Sequence, residues 1–311
     1  MKPEILMPGP MLPSCMAALD EAYVVHRLWE AKDPEALIAK VAPYVRAIAT
    51  AKGCPGALME KLPKLEIVAS FGVGYDSVDV ATATARGVRV TNTPDVLNDA
   101  VAELTVGLMV SLARRLPQCD GYVRSGRWEA EGSYPLQREL NGATAGVLGL
   151  GRIGKEIARR LTAMKMTVVY HGRAEQADQP YRYFGDLVAM AKAADWLVVI
   201  APATPETIGV VDAKVIEALG PEGFLCNVAR GSLVDEPALI AALEGGRLGG
   251  AALDVFADEP RVPEALRRLD NVVLAPHVGS ATHRTRRAMG DMVVRNLAAH
   301  FAGQPLISPV A

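Results

Sequence analysis

"AGVLGLGRIGKEIARRL", residues 145–161, starts as a short apolar run, turns through Gly149, Gly151 and Gly154 at the spacing G-x-G-x-x-G, and continues in a helical pattern. Glycines at those places permit a tight turn and a close backbone approach. The N–H groups at the start of the following helix attract a pyrophosphate. Leu150, Arg152 and Ile153 complete the loop. A bare match of this kind also occurs in methyltransferases and in ordinary strand-to-helix turns. Here a strand precedes it, an amphipathic helix follows it, and further strand–helix units come after, which together indicate a dinucleotide site.

Downstream, "MTVVYHG", "WLVVIAP", "GFLCNVARG", "GAALDVF" and "NVVLAPHVGS" repeat the strand rhythm between helical stretches. Upstream, "EILM", "YVVHRL", "VRAIAT", "LEIVAS" and "VRVTN" do the same. Strands alternating with helices mean parallel sheets covered on both faces, so the expected class is α/β with two doubly wound units. "TPDVLNDAVAELTVGLMVSLARR" (93–115) has Val101, Leu104, Leu108 and Leu112 at helical spacing and is long enough to link the units. The irregular stretch "SGRWEAEGSYPLQREL" (125–140) follows it. The last helix, in "THRTRRAMGDMVVRNLAAHFAGQP", is stopped by Gly303 and Pro305 and can cross back to the first unit.

Composition narrows the function classes. The 311 residues include 33 basic and 35 acidic ones, a net charge of −2, so neither nucleic acid nor an anionic membrane surface is an expected partner. Cys15, Cys54, Cys119 and Cys226 form no C-x-x-C pair and no metal spacing, so reduced thiols in a cytoplasmic protein and no metal are expected. The N-terminus "MKPEILMPGPMLPS" has no signal-peptide core, and no apolar run approaches the roughly 18 residues of a membrane span.

An NAD site usually offers Asp or Glu to the adenosine ribose about 20 residues past the first glycine. Here that strand ends in His171, Gly172, Arg173 and Ala174. A carboxylate would repel a 2′-phosphate, whereas a guanidinium pairs with it and stacks on adenine, so the expected cofactor is NADP(H), with NAD less preferred. The alternative for Arg173 is a solvated loop position.

Ligands of open α/β sheets bind at the carboxyl ends of the strands. "GFLCNVARG" ends at Arg230, "GAALDVFADEP" carries Asp254 and Glu259, and "NVVLAPHVGS" ends at His277. Beside a nicotinamide these suit reduction of a 2-oxo acid. His277 gives a proton to the carbonyl oxygen, Glu259 orients the imidazole and favours its charged form, and Arg230 clamps the substrate carboxylate. Taken singly, His277 also reads as a strand-end cap, Glu259 as a turn acid before Pro260 and Arg230 as a surface charge. In the first unit, "SFGVGYD" (70–76) follows a strand, and its glycines leave the N–H groups of Val73 and Gly74 available to a carboxylate; an ordinary strand-to-helix turn is the alternative.

With these residues the chain resembles the D-isomer-specific 2-hydroxyacid dehydrogenases over essentially its whole length. The shared motifs are "SFGVGYDSVDV", "NTPDVLNDAVAE", "GLGRIG", "TPET", "NVARGSLVDEPAL", "GGAALDVFADEP" and "APHVGSATHRTR". Within that family it is most similar to NADPH-dependent glyoxylate/hydroxypyruvate reductases and plant-type hydroxyphenylpyruvate reductases. The resemblance implies a Rossmann cofactor domain (99–284) inserted in a flavodoxin-like substrate domain (1–98 and 285–311). It implies Arg230, Glu259 and His277 as the catalytic set, Asp254 on the nicotinamide carboxamide, and Val228 and Ala229 lining that pocket. A homodimer formed largely by the cofactor domains is implied too, with Trp128, Tyr134 or Leu136 reaching the partner's active site or only packing at the interface. Ser280 is a candidate for a substrate hydroxyl. Ala203 and Asn98 depart from the family's frequent Leu and Thr. The rival reading from another class is a nucleotide-sensing corepressor on the same scaffold, which would bind the dinucleotide without turnover.

Overall fold

The apolar runs form two separate parallel sheets in the computed structural model, which describes residues 2–310. One unit holds the described residues up to Leu97 and those from Ser280 onward; the other runs Asn98–Gly279. The second boundary falls five residues before the expected one, because Thr282 caps the final helix through its hydroxyl and residues 280–282 belong with that helix's start.

In the first unit, β1 (Glu4–Met7), β2 (Val24–Arg27), β3 (Val45–Thr50), β4 (Ile67–Ser70) and β5 (Arg89–Thr91) lie in the order β2-β1-β3-β4-β5. This is the flavodoxin-like doubly wound order. β4 is buried at every position, as a strand covered on both faces must be. The helix Pro13–Ala22 packs on the last helix, His283–Phe301, which also lies against β4. After that helix the tail pairs antiparallel with β5 through a bridge between Thr91 and Pro309.

The second unit contains β6 (Thr144–Leu148), β7 (Thr167–His171), β8 (Arg182–Tyr183), β9 (Trp196–Val199), β10 (Phe224–Asn227), β11 (Gly250–Leu253) and β12 (Val272–Leu274). Their order is β12-β11-β10-β9-β6-β7-β8, so the chain reverses direction across the sheet between β6 and β9. That is the Rossmann switch point, outside whose strand ends dinucleotides bind. β9, β10 and β11 are buried throughout and carry the core with Leu239, Leu243 and Leu266. Asp186, Asp212 and Asp235 cap the helices that follow them by accepting backbone N–H bonds.

The stretch read as irregular is partly helical: a one-turn helix spans Arg127–Glu131, closed by a two-point ion pair between its end residues. The aromatic contacts of the stretch are local in the chain, while its Arg138 pairs with Glu222 and lies over the Phe224 ring. Tyr122 donates to the Gly132 carbonyl, and Tyr134 packs edge-on against Tyr122 with centroids 5.1 Å apart. Nothing in hydrophobic periodicity reports a helix held by one ion pair and a ring contact.

All four thiols are free, and three are buried. Burial pushes Cys15 up to about 11 and Cys54 and Cys226 up to about 12, which keeps them unreactive thiols at neutral pH. Among the described residues there is no cluster able to hold a metal ion, and no helix is long and apolar enough to cross a membrane.

Candidate active site

Residues 149–154 form a cradle at the switch point. Gly149 sits at φ +100°, and a Cβ there would lie 2.7 Å from the backbone of Ala201, which follows β9. A Cβ on Gly154 would lie 2.1 Å from the Gly149 carbonyl oxygen, so the helix start presses directly on the turn. Gly151 has open space instead, and as the cap of the helix Arg152–Ala163 it brings no side chain to compete for the first-turn N–H groups. Two positions that exclude a side chain around one that faces open space fit a backbone cradle for a pyrophosphate. Leu150 is buried; Arg152 is exposed at the rim.

The end of β7 is built by its neighbours. His171 Nδ1 lies 2.8 Å from the Phe184 carbonyl oxygen, which accepts from it, and the Tyr183 ring lies parallel to the imidazole with an interplanar angle of 6°. Tyr183 donates its hydroxyl to the Gly172 carbonyl. Gln176, which the sequence offered no reason to select, staples the loop: its N–H donates to the Tyr170 phenol at 2.7 Å and its side chain to the Leu150 carbonyl at 2.9 Å. Arg173 and Ala174 are thereby presented exposed on a loop tied to the glycine turn. The residues present fit a dinucleotide at both places, and at the adenosine end they present a cation where an acid is customary.

Arg230, Glu259 and His277 follow β10, β11 and β12, three neighbouring strands. Asn227, 1% exposed, folds the first of these exits: it accepts the Ala229 N–H and donates to the Arg230 carbonyl. Val228 and Ala229 are buried in the same turn. Gly231 comes next, and a Cβ on it would fall 1.9 Å from the Phe256 carbonyl carbon, so the Arg230 exit lies directly against the segment that leads to Glu259.

Glu259 spends one oxygen on its own loop, accepting the Phe256 N–H at 3.1 Å, and the other on His277 Nδ1 at 2.7 Å. Because an ionised carboxylate only accepts, Nδ1 carries the hydrogen and Nε2 is left for chemistry. His277 itself adopts φ +53°, a left-handed conformation. It is kept there by Asp254, whose carbonyl accepts the His277 N–H and whose two carboxylate oxygens accept the N–H groups of Val278 and Gly279 at 2.7 and 2.8 Å. Burial pushes the Asp254 carboxyl above its ordinary value, while these two N–H bonds pull it back. Beside the carboxamide contact that the family resemblance implies for it, Asp254 fastens the His277 segment. A cavity of ≈ 290 Å³ lined mainly by Phe256, Val262, Leu274 and Pro276 adjoins the Glu259–His277 pair and gives it an apolar wall.

The structure thus brings Glu259 and His277 into contact and sets Arg230 at the end of a strand in the same sheet. Val73, Gly74 and Ser280 belong to the first unit. There, Thr93 donates its N–H to the Gly72 carbonyl, and Asn92 donates its side-chain amide to the Val73 carbonyl. Ser280 accepts the Thr282 N–H with its carbonyl at the start of the last helix.

Comparison with known proteins identifies the family. Residues 106–279 match the family model described as the D-isomer specific 2-hydroxyacid dehydrogenase, NAD binding domain. Hydroxyphenylpyruvate reductase of Plectranthus scutellarioides is 47% identical over 308 residues, covering 98% of both chains. Glyoxylate/hydroxypyruvate reductase A of Arabidopsis thaliana is 46% identical over the same length and coverage. Among solved structures, the NADPH-dependent glyoxylate/hydroxypyruvate reductase of Sinorhizobium meliloti in complex with NADP and malonate superposes with a TM-score of 0.96 at 48% identity, covering 100% of this chain and 97% of that one.

Proposed function

The chain belongs to the D-isomer-specific 2-hydroxyacid dehydrogenases, and we propose that within that family it reduces a small 2-oxo acid, glyoxylate or hydroxypyruvate, to the D-2-hydroxy acid with NADPH in preference to NADH. The observation that carries this reading is the 2.7 Å contact between Glu259 and His277 Nδ1, which leaves Nε2 to act. The names of the plant relatives and the NADP held by the Sinorhizobium enzyme support the substrate class and the cofactor.

Gly149, Leu150, Gly151, Arg152, Ile153 and Gly154 would hold the pyrophosphate. His171, Gly172, Arg173 and Ala174 would surround the adenosine ribose and its phosphate, and Val228, Ala229 and Asp254 would meet the nicotinamide end. When bound, the dihydronicotinamide supplies the hydride that goes to the carbonyl carbon. His277, protonated at both nitrogens, gives its Nε2 proton to the carbonyl oxygen as negative charge grows there, so a hydroxyl forms and the imidazole is left neutral. Glu259 stabilises the imidazolium before transfer and holds the ring by Nδ1. Arg230 pairs with the substrate carboxylate and polarises the carbonyl. Val73 and Gly74 offer N–H groups to the same class of carboxylate, and Ser280 is kept as the candidate for a substrate hydroxyl. His277 is half exposed, so water can return its proton after each turnover.

The reading is tested by following NADPH absorbance after adding glyoxylate, hydroxypyruvate or hydroxyphenylpyruvate, each repeated with NADH. Turnover is expected with NADPH and at least one small 2-oxo acid. Tight NADPH binding with no consumption across the panel would favour the binding-only, corepressor-like alternative. The wall contacts that separate these substrates are worth only about 1–3 kcal/mol per methylene, so chain length is decided by the panel.

Gly231→Ala is expected to destabilise the protein by about 1–3 kcal/mol through overpacking against the Phe256 carbonyl, and to lower kcat because both catalytic exits shift. A thermal melt and a rate measurement check it; unchanged values for both would mean that the contact relaxes freely. The same reading includes a homodimer through the cofactor domains. It is supported by the fully exposed Leu136 and the largely exposed Trp128, and sedimentation of the free protein tests it.

A further inference from the structure

Asn296, on the inner face of the last helix, is completely buried, and three of its four hydrogen bonds go to the tail. Its carbonyl oxygen accepts the N–H groups of Ile307 and Ser308, and its amide donates to the Ser308 hydroxyl and the Met292 carbonyl. A buried polar side chain with every valence met specifies one arrangement, here the path of the tail. From the tail the chain of bonds continues. The Ser308 hydroxyl donates to the Asn92 carbonyl at 2.7 Å, and the Asn92 N–H returns to the Ser308 carbonyl at 3.3 Å. Asn92 then donates its side-chain amide to the Val73 carbonyl at 2.9 Å, while the next residue, Thr93, donates its N–H to the Gly72 carbonyl at 2.8 Å.

Those last two bonds determine where the neighbouring N–H groups point. The only cis peptide among the described residues is Glu259–Pro260, so the peptides linking Gly72 to Val73 and Val73 to Gly74 are trans. In a trans peptide the carbonyl and the N–H lie in one plane and point opposite ways. Drawing the Gly72 and Val73 carbonyls toward residues 92–93 therefore turns the N–H groups of Val73 and Gly74 outward on the other side. With Gly72 and Gly74 in the loop, few other forces set these planes: glycine peptides rotate with little steric resistance.

We propose that Asn92 is a positioning residue for the substrate carboxylate, and that the C-terminal strap of Asn296 and Ser308 holds it in place. This rests on the reading of Val73 and Gly74 as a carboxylate cradle. The strap brings Ser308, 216 residues away in sequence, onto Asn92, and Asn92 in turn holds the Val73 carbonyl.

The test uses the full-length enzyme with glyoxylate, whose binding is dominated by its carboxylate. Asn92→Ala is expected to raise KM for glyoxylate about tenfold, the worth of one hydrogen bond lost at a positioned group, with a much smaller change in kcat. The affinity for NADPH, read by fluorescence titration, should stay at the wild-type value, because the cofactor loops lie in the other unit. Ser308→Ala removes one link of the strap and should raise the same KM by a smaller factor. A merely structural role would lower the melting temperature without separating KM from kcat. If Asn92→Ala does not fold, Ser308→Ala decides alone. An unchanged glyoxylate KM in the folded variants overturns the positioning role. Wild-type protein that turns over no 2-oxo acid overturns the functional reading itself, so the two failures are distinguishable.

Discussion

Replacing His277 by alanine is expected to lower kcat with a 2-oxo acid by about two to four orders of magnitude while leaving NADPH affinity unchanged. The proton is needed only as the carbonyl oxygen gains negative charge, so its donor contributes to the transition state and hardly to the ground state. Two observations make His277 the group placed for this. Its Nδ1 is committed to Glu259 at 2.7 Å, which leaves Nε2 as the donor, and its backbone is held in a left-handed conformation by three bonds to Asp254. Steady-state kinetics beside a fluorescence titration of NADPH check the split. Glu259→Gln should fall between the wild type and His277→Ala, because an amide oxygen still accepts from Nδ1 but no longer offsets the positive ring. A His277→Ala enzyme with near-normal kcat would transfer the acid role to another group.

The second large effect concerns the cofactor. Arg173→Asp is expected to lower the ratio of kcat/KM for NADPH to that for NADH by at least about a hundredfold. A charge-assisted hydrogen bond to phosphate is worth about 1.5–3 kcal/mol, and an introduced carboxylate adds repulsion; about 1.4 kcal/mol is a factor of ten. Part of the change should come as a gain with NADH, since Asp at this strand end accepts from the ribose hydroxyls. Because Arg173 is exposed, raising the ionic strength should shrink the effect. Kinetics with both cofactors at two salt concentrations suffice, and an unchanged ratio would return Arg173 to the status of a solvated loop residue.

The parts readable from sequence share one property: each rests on short-range constraint. The glycines at 149, 151 and 154 are spaced by the geometry of a single turn, and the structure shows why two of the three exclude a side chain. The apolar runs that predicted strands are contiguous because a parallel strand is buried on both faces. Arg230, Glu259 and His277 stood out because each is a polar residue just beyond such a run. Gln176 looks like an ordinary loop amide until the Leu150 carbonyl it holds, 26 residues back, is seen. Asn227 is the polar end of an apolar strand, and its hold on the Ala229 N–H and the Arg230 carbonyl shows only once the turn after β10 is folded. The helix Arg127–Glu131 has no signature in the sequence, because one turn closed by an ion pair has no hydrophobic period to detect.

The sequence by itself determined the fold class, the dinucleotide loop, the missing acid at the end of β7 and the three polar strand ends, because local backbone geometry and strand burial limit which residue types stand at those positions. Only the tertiary structure decided how the functional groups are aimed. Asp254 fastens residues 24 and 25 positions further on, and Ser308 reaches Asn92 across 216. A hydrogen bond between distant residues depends on where the packed core delivers both ends, and neither end carries a local trace of its partner.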